Sequence, residues 1–165
     1  MTTTTDVTTQ VYRVYIRATP QAIWDAITQP EWTERYGYGG KAFFDLQPGG
    51  EFRHEASEAM RAAGLPELLV VGEIVESDPP RRLVLTWHPV WDEGSAAERP
   101  TRLTYELAQE AGRDGVTRLT VIHELEGAPL TAAMTSGQVE EAGGGWAFIL
   151  SDLKSLLETG SGVAS

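Results

Sequence analysis

Apolar and polar residues alternate in short runs through most of this chain and shift to helical spacing in two places. Val11–Arg17 has the composition and bounded length of a strand. Ala18-Thr19-Pro20 follows, with Thr19 as a helix N-cap and Pro20 at the first helical position. Ile23, Trp24 and Ile27 then recur at helical spacing until Pro30, because a residue before proline avoids helical angles. Pro30–Tyr36 reads as a second short helix closed by Gly37. From Lys41 to Glu124 the punctuation is that of strands: Ala42–Leu46, Glu51–Ala56, Leu68–Ser77, Arg82–His88, Arg102–Leu107 and Val116–Glu124. Gln47-Pro48-Gly49-Gly50 and Gly112-Arg113-Asp114-Gly115 are hairpin signals between them. Val139, Ala142, Trp146, Ile149, Leu150, Leu153, Leu156 and Leu157 keep a three-to-four spacing that predicts one long amphipathic helix.

A strand, two short helices, about six further strands and a long helix form an α+β order. The packing solution is a curved antiparallel sheet with one face on the long helix and space for a cavity between them. Alternation says which side chains face inward. Phe52, His54 and Ala56 share a face, as do Leu83, Leu85 and Trp87, then Leu103, Tyr105 and Leu107, then Thr117, Leu119, Val121 and His123. His88 falls opposite Trp87. Polar groups on this inner face need partners or cost about 1–3 kcal/mol each. His54 and His123 therefore read either as satisfied core residues or as groups that meet a ligand in a cavity.

Composition narrows the function classes. The 165 residues include 24 acidic and 13 basic ones, for a net charge of −11, and no cysteine. Disulfides, cysteine-based zinc sites and catalytic thiols are excluded. The negative balance argues against nucleic acid and anionic membrane surfaces, which need basic patches. The longest apolar run, Trp146–Leu150, is far short of the roughly 20 residues of a spanning helix. The N-terminus lacks the basic and apolar regions of a secretory signal, so a cytoplasmic protein is expected. Residues 1–9 are expected to form a flexible arm, 10–159 a single domain and 160–165 a loose tail.

Motifs for common chemistries are missing. His88 has the wrong parity to join the other two histidines, and no HExxH spacing occurs, so no metal is expected. Gly37-Tyr38-Gly39-Gly40 does not match a phosphate loop, and no nucleophile-elbow motif occurs. Asp152, Glu140 and Glu141 are expected on the outer side of the last helix. Gly143-Gly144-Gly145 interrupts that helical pattern: either the helix begins near Gly145, or small residues allow a close approach or leave room for a ligand. Two long connections, Ser57–Glu67 with Met60 and Leu65 and Pro89–Pro100 with Trp91, read as lids over a cavity mouth or, through Trp91, as an interface.

In this order the segments resemble the Aha1-like branch (activator of Hsp90 ATPase homologue 1) of the START/Bet v 1-like, or SRPBCC, superfamily. The resemblance spans about Tyr12 to Glu158. It rests on Ala18–Ile27 followed by Pro30-Glu31-Trp32, on Leu46–Phe52, on Gly72–Trp87, on Thr117–Glu124 and on Gly145-Trp146 with Leu153. It implies a single-domain bacterial protein with a helix-grip fold, in which a curved sheet of six or seven strands wraps a long C-terminal helix and two short helices close one end. It also implies a hydrophobic or aromatic small molecule held between helix and sheet. The expected walls are Trp32, Phe43, Phe52, Trp87, Tyr105, Val121 and Trp146, with His54 and His123 as polar anchors and no cofactor. Two alternatives follow. One is a cyclase, aromatase, dehydratase or hydrolase using His54 or His123 as general acid–base. The other is an Hsp90-cochaperone-like or homodimeric interaction module.

Overall fold

A computed structural model of the chain describes residues 9–139 and 144–163. Strand β1 (Thr9–Ile16) leads into α1 (Pro20–Thr28) and α2 (Pro30–Thr33). Then come β2 (Lys41–Phe44), β3 (Glu51–Glu55), α3 (Glu58–Ala62), β4 (Leu68–Asp78) and β5 (Arg82–Pro89). Next are α4 (Glu93–Ala96), β6 (Thr101–Gln109), β7 (Thr117–Glu124), α5 (Pro129–Thr135) and α6 (Gly145–Thr159). The seven strands form one antiparallel sheet in the order β1-β7-β6-β5-β4-β3-β2. β1 thus closes onto the last strand, and the remaining strands follow as a meander.

Local chemistry sets the helix ends. The Thr19 hydroxyl accepts from the Ala22 N–H at 3.1 Å, and Pro20 occupies the first turn of α1. Ile23, Trp24, Ala26 and Ile27 form the buried face of α1. α6 buries Trp146, Leu150, Leu153 and Leu156 and ends at Gly160, whose φ of +86° is the left-handed conformation that favours glycine. Along β1, the Lys154 ammonium donates to the Tyr15 carbonyl at 2.6 Å and Glu158 accepts from the Arg17 N–H at 2.8 Å. α6 is thereby fixed against that edge strand.

Of the two readings of the glycine run, the structure shows the long helix beginning at Gly145, which takes a φ of +65° and where a Cβ would lie 2.2 Å from the Thr135 carbonyl oxygen. Glu140, Glu141, Ala142 and Gly143 lie outside the described residues. The structure departs from the sequence reading in four places. Helix α5 was not expected: its buried face is carried by Thr131 and Thr135, so it shows no apolar period. The two long connections contain short helices, capped where Ser57 accepts from the Met60 N–H and Asp92 from the Ser95 N–H. Asp152 is not on the outer side of α6. It is buried at 2% exposure and accepts from the N–H groups of Gly37 (2.7 Å) and Val163 (2.6 Å). That second bond, with Ser161 accepting from Ser155 at 2.7 Å, folds residues 160–163 back onto the helix rather than leaving them loose.

Candidate functional site

The inner sheet face is organised around His123, which is fully buried on β7. Trp146, on the first turn of α6, donates its indole N–H to His123 Nδ1 at 3.1 Å. Nδ1 is therefore the unprotonated nitrogen. Nε2–H donates to Thr101 Oγ1 at 2.7 Å, and that hydroxyl donates to the Trp87 carbonyl at 2.7 Å. Four groups on β5, β6, β7 and α6 thus form one chain of donors and acceptors in which the neutral imidazole is fully satisfied. Burial pushes its pKa down to about 3. Protonation at Nδ1 would set two N–H donors against each other.

A belt of aromatic rings runs over this relay. Trp91 meets Trp87 edge-on at 5.9 Å, and Trp87 meets His123 at 5.1 Å. His123 meets Trp146 at 6.0 Å, and Trp146 meets Tyr105 at 6.1 Å. These are the tilted and edge-to-face contacts that aromatic quadrupoles prefer. Tyr105 lies near Tyr36, whose hydroxyl donates to the Ala26 carbonyl at 2.9 Å. Burial raises the pKa of both phenols, and Tyr105 adds to the rise at Tyr36. Both stay neutral at ordinary pH. The Tyr105 hydroxyl makes no hydrogen bond among the described residues. Trp91 and Met60, from the two long connections, pack against the core, Trp91 at the end of the belt.

His54 lies elsewhere. It stands on β3, the sixth strand in order, whereas His123 is on the second. Four inter-strand steps put them about 19 Å apart along a flat sheet. The structure does not bring the two histidines together. Burial pushes the His54 pKa down to about 4, with the Gly40 backbone pulling weakly the other way. That pull is a hydrogen bond between the ring and the Gly40 backbone, whereas Trp91 Nε1 and Ser77 Oγ are buried with no hydrogen-bond partner among the described residues.

The other expected wall residues divide. Trp87, Tyr105, Val121 and Trp146 share the inner face around the relay. Phe52 is on the same face toward the β2 edge, its ring 4.7 Å from Phe44. Phe43 is on the opposite face, under the Arg53 guanidinium at 4.3 Å, and Phe44 takes the place expected for it. Two adjacent phenylalanines leave the parity of β2 open; the hairpin register decides it by setting Phe44 opposite Phe52. Trp32 packs at the core margin with Arg35 over its ring at 4.6 Å. Thr101 was missed, although it shares the parity of Leu103 and Tyr105 at the start of the same strand.

Two open grooves lie outside this face. One of about 560 Å³ crosses the outer sheet surface past Arg13, Tyr15, Glu106 and Arg118, and one of about 370 Å³ lies beside Lys41, Ser57 and Glu67. None of the expected site residues lines either. Trp146, Leu150 and Leu153 of α6 are buried in the core against the sheet.

Solved structures share this architecture at low identity, which speaks for the fold alone. An Hsp90 activator from Plasmodium falciparum superposes with a TM-score of 0.61 at 19% identity, over 91% of this chain and 96% of that one. The Aha1 dimer from Colwellia psychrerythraea gives 0.64 at 16% identity, over 93% and 98%. DynU16, a protein of the dynemicin biosynthetic locus, gives 0.67 at 19% identity, over 95% of this chain and 49% of that one. No curated protein matches the sequence. The family model described as activator of Hsp90 ATPase homolog 1-like protein matches residues 17–158, the helix-grip body just described, and the chain belongs to that family.

Proposed function

We propose that the chain binds a hydrophobic or aromatic small molecule on the inner sheet face, against the ring belt of Trp91, Trp87, Trp146 and Tyr105. The observation that carries this reading is that belt together with the buried Trp91 indole N–H at its end, which has no hydrogen-bond partner among the described residues. Natural interiors satisfy nearly all such groups, so a buried indole N–H without a protein acceptor supports a bound molecule or water at that point. In this reading Val121 extends the walls, while Phe52 and His54 stand farther along the same face toward the β2 edge. His123 acts indirectly, by holding Trp146 in place. A ligand reaches the belt past Trp91, which packs against Trp87 from the connection after β5.

The enzyme and interaction readings have less behind them. His123 has both nitrogens engaged, and among the described residues His54 has no carboxylate or hydroxyl partner to set it up as an acid–base. Trp91 is folded against the core rather than displayed to a protein partner. Native mass spectrometry and thermal shift against lipids, flavonoids and polyketides test the proposal. Saturable one-to-one adducts that raise the melting temperature are expected. A protein that stays empty and unshifted across the whole panel refutes it.

A further inference from the structure

We propose that the outer sheet face, away from the ring belt, carries a site for a small soluble phosphate monoester between Arg13 and Arg118. Strand register sets four side chains at the corners of one square there. Arg13 of β1 stands opposite Thr120 of β7, and Tyr15 stands opposite Arg118. Arg13 and Arg118 are therefore diagonal neighbours on one face, about 7–8 Å apart and within reach of long side chains. All four residues line the open groove of about 560 Å³, and the short Ala108 side chain beside Arg118 keeps it open. The corners are two guanidinium groups, which only donate, and two hydroxyls, which can donate.

Among the described residues these donors are almost unused. The Arg13 guanidinium makes neither an ion pair nor a hydrogen bond. Arg118 meets Glu110 at 3.8 Å, an ion pair too long to be a hydrogen bond. Thr120 is buried at 6% exposure, lines the groove, and its hydroxyl has no hydrogen-bond partner among the described residues. The Tyr15 hydroxyl has none either. The carboxylates that line the groove are engaged, Asp78 by Arg81 and Glu106 by Arg82. Two like charges on diagonal positions repel, and an oxyanion between them removes the repulsion while accepting from both forks. The net charge of −11 bears on the size of the ligand. It repels an extended polyanion, but salt screens that field beyond about 8 Å, so for a small anion the two arginines decide. The groove is longer than one phosphate group, and the exposed Tyr15 ring offers a surface to the ester's organic part.

The test titrates the whole ¹⁵N-labelled chain with phenyl phosphate, with inorganic phosphate and with vesicles containing phosphatidic acid. Phenyl phosphate should bind saturably and move the backbone amides of Arg13, Tyr15, Arg118 and Thr120. Inorganic phosphate should move the same amides with lower affinity, and the vesicles should not bind. Arg13→Gln and Arg118→Gln should each weaken phenyl phosphate about tenfold, the effect of a lost charge-assisted hydrogen bond. Thr120→Val should weaken it several-fold. Arg61→Gln removes the same charge from α3, beside the other groove, and should leave the affinity unchanged. Circular dichroism checks the fold of each variant, and the two exposed arginines keep the test open if the buried Thr120→Val misfolds. No saturable binding of either soluble phosphate, shifts confined to other residues, or an equal loss in Arg61→Gln overturns the site. Binding to the vesicles without binding to phenyl phosphate overturns the soluble ester in favour of a lipid headgroup. None of these outcomes bears on the inner face, which the flavonoid and polyketide panel tests separately.

Discussion

At the residue scale the relay around His123 decides what the inner face can do. Replacing Thr101 with valine keeps the shape but leaves the His123 Nε2–H buried without an acceptor. Thr101→Val should destabilise the fold by about 1–3 kcal/mol in urea denaturation. Retention of full stability would mean that Nε2 has another partner. The histidines also set an acid limb. Their folded pKa values, about 3 for His123 and about 4 for His54, lie below the ordinary 6.5. Between these values the unfolded chain binds more protons than the folded one, so stability is full above about pH 6.5 and falls as the pH drops toward 4. At full linkage each histidine removes about 1 kcal/mol per pH unit. Denaturation midpoints between pH 7 and 4.5 should show this decline, and His54→Gln should reduce its slope. Parity placed both imidazoles inward from sequence alone. It could not show that His123 is fully satisfied, because that depends on Thr101 and Trp146, which arrive from other elements.

At the element scale two hinges fix α6. Gly145 combines a φ of +65° with a backbone wall: a Cβ there would stand 2.2 Å from the Thr135 oxygen. Gly64 has a φ of +99° with open space around it. Gly64→Ala should cost only the left-handed backbone penalty of about 1–2 kcal/mol. Gly145→Ala should cost clearly more and weaken the contact between α5 and α6. Equal losses in thermal denaturation would show that the close approach is not rigid. The buried Asp152 is the second fastening. Asp152→Asn removes the charge that strengthens the bonds from Gly37 and Val163, and hydrogen exchange at those two amides should speed up. Unchanged exchange would argue against the clamp. The strand order and the principal helices were legible because alternation, proline and capping residues mark them directly. α5 was not, since threonines bury its face. The position of Asp152 was not either, because a carboxylate in a helical pattern ordinarily faces water.

For the whole molecule, charge is kept out of the core: among the described residues Asp152 is the one buried charged side chain. Glu51, Glu55, Glu76 and Glu106 pair with arginines in partly exposed bridges, the class of ion pair that contributes little to stability. Charge therefore coats the fold, while the inner face stays uncharged and aromatic. The fold could be read from the order of strands and helices, and the inward-facing side chains of most strands from parity. The choice of Phe44 over Phe43 needed a hairpin register, and Trp91 and Met60 needed the folded course of two long connections. Ligand binding at the inner face is the central claim, and the five indole N–H signals report on it directly. Titrating flavone into ¹⁵N-labelled protein should move the indole resonances of Trp91, Trp87 and Trp146 in a saturable way and leave that of Trp24 in place. Saturating ligand that moves none of these three, or that perturbs only the outer groove around Arg13, Tyr15 and Arg118, would contradict the account.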